Sequence, residues 1–313
     1  MNRLERLDTR LCLLVVALFA LLRLGTANEG ILFIACLIMV WSIFALGYDL
    51  AFGTAGILSF GHAAFFGLGA FGMAWSTLNG LPFTAGVVAG AALGALCAWT
   101  VSLIGSRITG LFFSLLTLML AELVSVLMLT RLRRLSGGVD GLPGVGRPSW
   151  GGVDFFNNAN YFWVVFAIFA AVLGACWVLR RSPLGQAFQA VRQNPVRAEQ
   201  LGYGVRPLRQ AAMALSGAFA GIAGGLLASL MMYTGPQMLN WKTSGDVLIM
   251  TLLGGSGTLL GPIVGVAFFE ILREVLATYS DYWYGLVGIV FILCTLFLPK
   301  GLAGTALHAW SKR

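Results

Sequence analysis

The chain has 313 residues, of which 58% are hydrophobic and only 10% charged, far below the charged fraction of about a quarter in a soluble domain. That balance excludes a soluble globular enzyme and describes an integral membrane protein. The formal net charge of +8 does not call for nucleic acid, because the basic residues concentrate in a few loops between apolar segments, where membrane topology accounts for them.

The first segment, MNRLERLDTR, carries Glu5 and Asp8 beside Arg3, Arg6 and Arg10, and the apolar run after it lacks a small-residue cleavage site. It is expected to be a retained cytoplasmic end followed by a membrane anchor. With about twenty apolar residues per crossing, and fewer where a helix is broken, ten spans are predicted: 11–26, 31–48, 62–78, 83–104, 111–130, 161–179, 208–232, 246–259, 262–276 and 282–298. The expected fold is therefore an all-α integral membrane protein, a single transmembrane domain over 1–313 with about ten transmembrane helices, some of them broken.

Two glycine-rich stretches interrupt the pattern. One runs from Asp49 to Phe71 and the other from Leu253 to Gly265. Glycines such as Gly53, Gly56, Gly254, Gly257 and Gly261 let helices approach closely. The same residues, with polar neighbours such as Ser59 and His62, also suit broken helices, which are tolerated at membrane depth only where protein or a water-filled cavity meets the free backbone groups. Both readings stand at this level, and the second makes these positions candidates for a translocation pathway.

Inside the spans, Glu122 stands alone in an apolar segment, where a carboxylate is costly unless it faces the bundle interior, a partner or water. It is expected to face inward, either as a packing carboxyl or as a pathway residue. Glu270, Arg273 and Glu274 have the spacing to pair along one helix face. His62 has no second histidine near it, since His308 lies in the tail. Cys12, Cys36, Cys97, Cys176 and Cys294 sit singly in apolar runs and suit packing better than metal or redox work. Neither a metal site nor a catalytic cluster is predicted.

The one long polar run of mixed charge, 180–209, holds Arg180, Arg181, Arg192, Arg197, Arg206 and Arg209. Leu184, Phe188 and Val191 recur at helical spacing after Ser182-Pro183, Pro195 interrupts the pattern, and Gly202 and Gly204 end it. This is either a solvated basic loop or a helix-break-helix docking surface. If it is cytoplasmic, both termini are too: thirteen basic residues then lie inside, including Arg107, Lys300, Lys312 and Arg313, against Arg131, Arg133, Arg134, Arg147 and Lys242 outside. The stretch 131–160 becomes the largest external loop.

Several motifs resemble one family in its own order. Gly53-x-x-Gly56-x-x-Ser59-x-Gly61-His62-Ala63 is similar to the first signature of the branched-chain amino acid (LivM-like) permeases of ABC importers, and Leu253-Gly254-Gly255-x-Gly257-Thr258-x-x-Gly261-Pro262 to the second. A third match spans Gly110 to Glu122 with Thr117 and Ala121, and a fourth is Gly137-Gly138-x-Asp140-Gly141-Leu142. The polar run Ser182-Pro183-Leu184-Gly185, Ala190-x-Arg192-x-Asn194, Ala198-x-x-Leu201-Gly202 resembles the family's cytoplasmic coupling loop, except that Pro195 stands where members carry another residue.

The resemblance implies a permease subunit in the bacterial inner membrane that moves branched-chain or other hydrophobic amino acids. Relatives with the same motifs carry urea or short amides. It implies a LivH-like sister permease, two ABC ATPase subunits that use ATP and Mg, and a periplasmic solute-binding protein, with membrane lipid around the complex and no nucleic acid. Coupling to the ATPase is implied for Leu184, Gly185, Phe188, Arg192, Asn194, Ala198 and Gly202. The chain itself is expected to bind no cofactor. Its three lysines do not follow glycine as a phosphate-binding loop requires, so ATP would be hydrolysed elsewhere. An ion-coupled secondary transporter using Glu122 and Glu270, a passive channel and a membrane enzyme are the competing classes. The first leaves the polar loop without a role, and the last lacks a reactive cluster.

Overall fold

Helix α2 (Glu29–Asp49) is apolar on every side, and such a helix belongs in an interior. Most of its length from Ala35 onward is buried. Asn28 starts it, its side chain accepting the Gly30 N–H at 2.9 Å and the Ile31 N–H at 3.4 Å, as an N-cap does. The computed structural model describes residues 3–26, 28–108, 110–149, 155–279, 282–298 and 301–305. The expectations for Lys300, His308, Lys312 and Arg313 fall outside them, as do residues 150–154 of the 131–160 loop.

Helix α2 packs against α7 (Asn158–Arg181), α10 (Val205–Met231), α11 (Trp241–Gly254) and α12 (Leu260–Tyr279); α1 (Arg3–Gly25) lies against α7 and α12, and α3 (His62–Leu78) and α4 (Phe83–Ile104) pack on each other and on α10. Helices α5 (Leu111–Leu129) and α13 (Trp283–Phe297) lie further out. The short α6 (Arg133–Ser136), α8 (Pro183–Gln193) and α9 (Pro195–Gln200) sit in the connections. An aromatic cluster in which Phe44 stacks on Phe66 at 4.7 Å and Trp41 on Phe66 at 5.8 Å fills the α2–α3 contact.

The α3, α4 and α10 group closes on glycine. A Cβ on Gly94 would overlap the Gly217 carbonyl, one on Gly221 the Gly90 carbonyl, and one on Gly69 the Gly221 backbone. Backbones this close gain dispersion contact without side-chain ordering, which is how helices associate in lipid. The opposite faces are apolar and outward: Leu111, Phe112, Met119 and Leu123 on α5 and Ile289, Ile292 and Leu296 on α13 are exposed.

Each of the ten predicted spans falls on a helix, and five helices, over 29–54, 83–104, 111–129, 158–181 and 205–231, are both long and apolar enough to cross a membrane. The eighth span needs correcting. The predicted span runs to Leu259, whereas α11 begins earlier, at the Asn240 cap that accepts the Lys242 N–H at 3.0 Å, and stops at Gly254. Gly255 (φ 108°) and Gly257 (φ 82°) lie where a right-handed helix cannot continue.

Within the described part of the 131–160 connection, two points are tied down. Leu142 and Pro143 pair antiparallel with Thr234 and Tyr233. The Arg147 guanidinium donates to the Phe156 carbonyl (2.8 Å), the Leu230 carbonyl (2.9 Å) and Asn158 Oδ1 (3.1 Å), and lies over the Tyr161 ring.

Gly221→Val tests the glycine contact. Overpacking costs about 1–3 kcal/mol or more, so this variant should melt at a clearly lower temperature in detergent. Gly174→Val, placed where a Cβ meets nothing within 4 Å, should melt like the parent chain. Equal melting of the two would mean that α4 and α10 do not pack as described.

Candidate functional site

The first glycine stretch breaks the helix. After α2 the chain makes a wide π-type turn at Leu50–Thr54 and runs irregularly through residues 55–61 before α3 begins at His62. The freed backbone groups are met by side chains from other helices. Tyr48 Oη donates to the Ser59 carbonyl (3.2 Å), Thr117 Oγ1 accepts the Phe60 N–H (3.1 Å), and Ser244 Oγ accepts the Ala63 N–H (2.7 Å). Irregular backbone in a membrane bundle requires such partners.

His62 is fully buried, with its ring edge-on to Tyr48 and Phe65 at 4.7 and 5.0 Å. Ser216 Oγ directs its proton to the Gly47 carbonyl at 2.6 Å. It therefore accepts from His62 Nε2 at 2.8 Å, which fixes the Nε2–H tautomer. His62 thus locks α3 to α2 and α10.

The charged centre is one that the sequence reading passed over. Asp49, at the end of α2, is fully buried and pairs with Arg180, at the end of α7. Asp49 Oδ2 accepts from Arg180 Nη2, and Oδ1 accepts the Gly257 N–H at 2.8 Å. Arg180 also donates to the carbonyls of Gly257 (3.1 Å) and Thr258 (2.9 Å). From the next short helix, Arg192 Nη1 donates to the Gly53 carbonyl. The first half of the polar run thus holds both broken segments at once. Asp49 was visible as the acidic residue opening the first glycine stretch. The argument applied to Glu122 applies to it with more force.

The predicted pathway residues divide by this geometry. Gly53, Gly56 and Gly257 meet at the Arg180–Arg192 centre: a Cβ on Gly56 would lie 2.8 Å from Arg192 Cγ, and one on Gly257 3.3 Å from Arg192 Nη1. Gly56 (φ 72°) and Gly257 (φ 82°) also adopt left-handed backbone, which costs other residues about 1–2 kcal/mol. Gly254 and Gly261 serve close packing, since a Cβ on Gly254 would overlap the Gly261 carbonyl. Ser59 and His62 lie in the α2–α3–α10 contact. Glu122 does not join them. It is exposed on the outer face of α5, and the expectation that it points into this chain's interior is wrong, because the inward face of α5 is taken by Phe113, Thr117, Ala121 and Ser125. The Glu270–Arg273 pair forms as its spacing predicts, at 3.3 Å.

The polar run folds as helix, break, helix. Ser182 Oγ caps α8 by accepting the Gly185 N–H at 3.2 Å, and Asn194 Oδ1 caps α9 by accepting the Arg197 N–H at 2.9 Å; proline follows each cap at the first helical position. The apolar face, however, is turned inward. Phe188, Val191 and Ala187 are buried, and a Cβ on Gly185 would overlap the Leu179 carbonyl. Ala198 is buried too. Phe188 therefore anchors α8 to its own chain and is not free to meet a partner. The large apolar side chains that the run leaves exposed are Leu184, Val196, Leu201 and Tyr203, and Gly202, between the last two, has left-handed backbone and open space beside it.

A family model described as the branched-chain amino acid transport system permease component matches residues 30–295. The chain belongs to that family. It is 29% identical over 321 residues to the high-affinity branched-chain amino acid transport system permease protein LivM of Escherichia coli (strain K12), covering 91% of this chain and 74% of that one. LivM of Salmonella typhimurium is 28% identical, over 88% and 70%. The autoinducer 2 import system permease protein LsrC of Klebsiella pneumoniae is 32% identical over 213 residues, 64% of this chain and 58% of that one. No solved structure matches the chain. The matched region contains the Asp49–Arg180 centre, both broken segments and the polar run, in a LivM-like permease built of apolar helices.

Breaking the buried pair from either side should be severe. Asp49→Ala or Arg180→Ala leaves an unpaired charge and should cost about 3–5 kcal/mol, read as a large loss of thermal stability in detergent. The double variant Asp49→Leu with Arg180→Met should recover most of that stability but not transport. A double variant no more stable than the singles would show that the pair is not the main tie between α2 and α7.

Proposed function

We propose that this chain is one permease subunit of an ATP-driven importer that moves branched-chain or other hydrophobic amino acids across the inner membrane, with the 180–209 run as its cytoplasmic coupling loop and both termini on the cytoplasmic side. In this reading it pairs with a sister permease, receives solute from a periplasmic binding protein, and is driven by two separate ATPase subunits that hold the ATP and Mg. The observation that carries it is the direct link between the loop and the broken segments: Arg180 and Arg192 hold the Gly257, Thr258 and Gly53 carbonyls. A push on α8 and α9 reaches the interrupted helices with no intervening element. Such short rigid links between packed elements convert small displacements into a switch.

The solute is assigned from the likeness to the two LivM proteins, with the LsrC likeness leaving other small polar solutes as the second reading. Solute-stimulated ATP turnover of the reconstituted complex, with leucine set against autoinducer 2, separates them.

The docking patch follows from burial. The ATPase would meet Leu184, Val196, Leu201 and Tyr203, while Phe188 and Val191 keep α8 seated. Leu201→Asp should therefore lose the co-purifying ATPase and leave the permease as stable as before. Phe188→Asp should instead destabilise the permease itself, because the charge enters the interior at a cost of several kcal/mol. Gly202→Val, forced into left-handed backbone, should keep the ATPase but uncouple solute from ATP turnover. Retention of the ATPase by Leu201→Asp at full transport would end the coupling assignment.

Glu122 finds its place in the same reading. A carboxylate cannot face lipid tails cheaply, so the part of the outer face of α5 that carries Glu122 is assigned to the sister permease or to a water-lined path between the two, which leaves only the first turn, at Leu111 and Phe112, to lipid. Glu122→Gln should transport nearly normally and Glu122→Lys should not, both at matched expression. Equal loss in both would mean that the charge itself is required.

A further inference from the structure

Between the end of α4, the start of α5, the first turn of α10 and residues 56–58 lies a cavity of ≈ 210 Å³. Its lining combines apolar Ile57, Leu58 and Phe113 and the hydroxyl of Ser106 with Arg206 and Arg209. No acidic side chain lines the cavity. Arg209 Nε is buried without a hydrogen-bond partner among the described residues, and neither guanidinium takes part in a salt bridge there.

Two guanidinium groups without a counter-ion beside an apolar wall, at the level where α4, α5 and α10 end, call for a ligand with anionic oxygens at one end and hydrocarbon at the other. The arginine forks suit phosphate oxygens. Basic pockets between membrane helices are where anionic headgroups bind. The cavity is too small for a whole lipid, and its apolar rim continues outward along α5 over Leu111 and Phe112, both strongly exposed.

We propose that this cavity binds the headgroup of an anionic phospholipid, its phosphate between Arg206 and Arg209 and one acyl chain along Leu111 and Phe112. The assignment to the cytoplasmic leaflet rests on the topology proposed above; the site itself does not. The site also touches the coupling machinery. Its wall at Gly56–Leu58 follows directly on the segment whose Gly53 carbonyl Arg192 holds, and Gly56 packs on the Arg192 side chain. A bound headgroup, held by the last two arginines of the same polar run, braces that irregular backbone.

The test uses the whole complex, purified in mild detergent after exchange into mixed phosphatidylglycerol and phosphatidylcholine, with retained lipid read by native mass spectrometry. The wild type should retain phosphatidylglycerol in preference to phosphatidylcholine. Arg206→Gln with Arg209→Gln should retain about 25-fold less, since each basic group near a headgroup contributes on the order of a fivefold preference. Arg206 is exposed, so Arg206→Gln alone should fold normally and show an intermediate loss. Inorganic phosphate should not displace the lipid. Equal retention by wild type and double variant, or equal retention of the two lipids, overturns the site; displacement by inorganic phosphate alone overturns the lipid in favour of a soluble anion. Labelling of Ser106→Cys from outside the cell would overturn the topology and leave the lipid result standing.

Discussion

A carboxylate with no solvent exposure, at the end of a helix that is apolar on all sides, is the constraint on which the rest of the structure depends. Asp49 would be untenable alone, and Arg180 meets it with a side chain that is itself mostly buried. A buried pair is worth keeping only when every remaining donor and acceptor is also used. Here that condition builds the architecture. The second Asp49 oxygen takes the Gly257 N–H, and the spare Arg180 donors take the Gly257 and Thr258 carbonyls. One ion pair thereby joins α2, α7 and the α11–α12 break. The last of these has to be irregular, because a continuous helix would have no free N–H or carbonyl to offer.

The glycines fall into two physical classes that sequence alone could not separate. Those of α4 and α10 are ordinary helical residues whose missing Cβ lets backbones touch. Gly56 and Gly257 are conformational, with left-handed backbone beside Arg192. The distinction matters for energetics. Packing glycines contribute through the closeness of whole helices, whereas the conformational ones fix where two carbonyls point.

The apolar segments, the helix-break-helix form of the polar run and the interruption of both glycine stretches were legible in the sequence, because each rests on a local rule. Ser182 and Asn194 before prolines announce helix starts, and glycine with polar neighbours announces a break. What was not legible depends on which face meets which. The periodicity of Leu184, Phe188 and Val191 says that α8 has an apolar side but not whether that side meets its own chain or another. Likewise, Glu122 announces that it cannot face lipid, and nothing local tells interior from subunit boundary. Asp49 is hidden for a different reason: it lies just beyond the end of the second predicted span, where the sequence pattern shows no cost of burying it.

The inward seating of α8 changes how force would pass through the chain. A docking helix held only by its partner would move independently of the permease and transmit little. With Phe188 and Val191 buried and Gly185 against the Leu179 carbonyl, α8 is continuous in packing with the end of α7, separated from it only by the Ser182 turn. Any displacement of the exposed patch near Leu201 must then carry α8 and Arg192 with it, or break a packed core. Since Arg192 holds Gly53 and Arg180 holds Asp49, the first groups to feel that displacement are the backbone carbonyls of the broken segments. Those carbonyls are held by side chains and not by a continuous helix ladder, so a shift of either arginine acts on them directly.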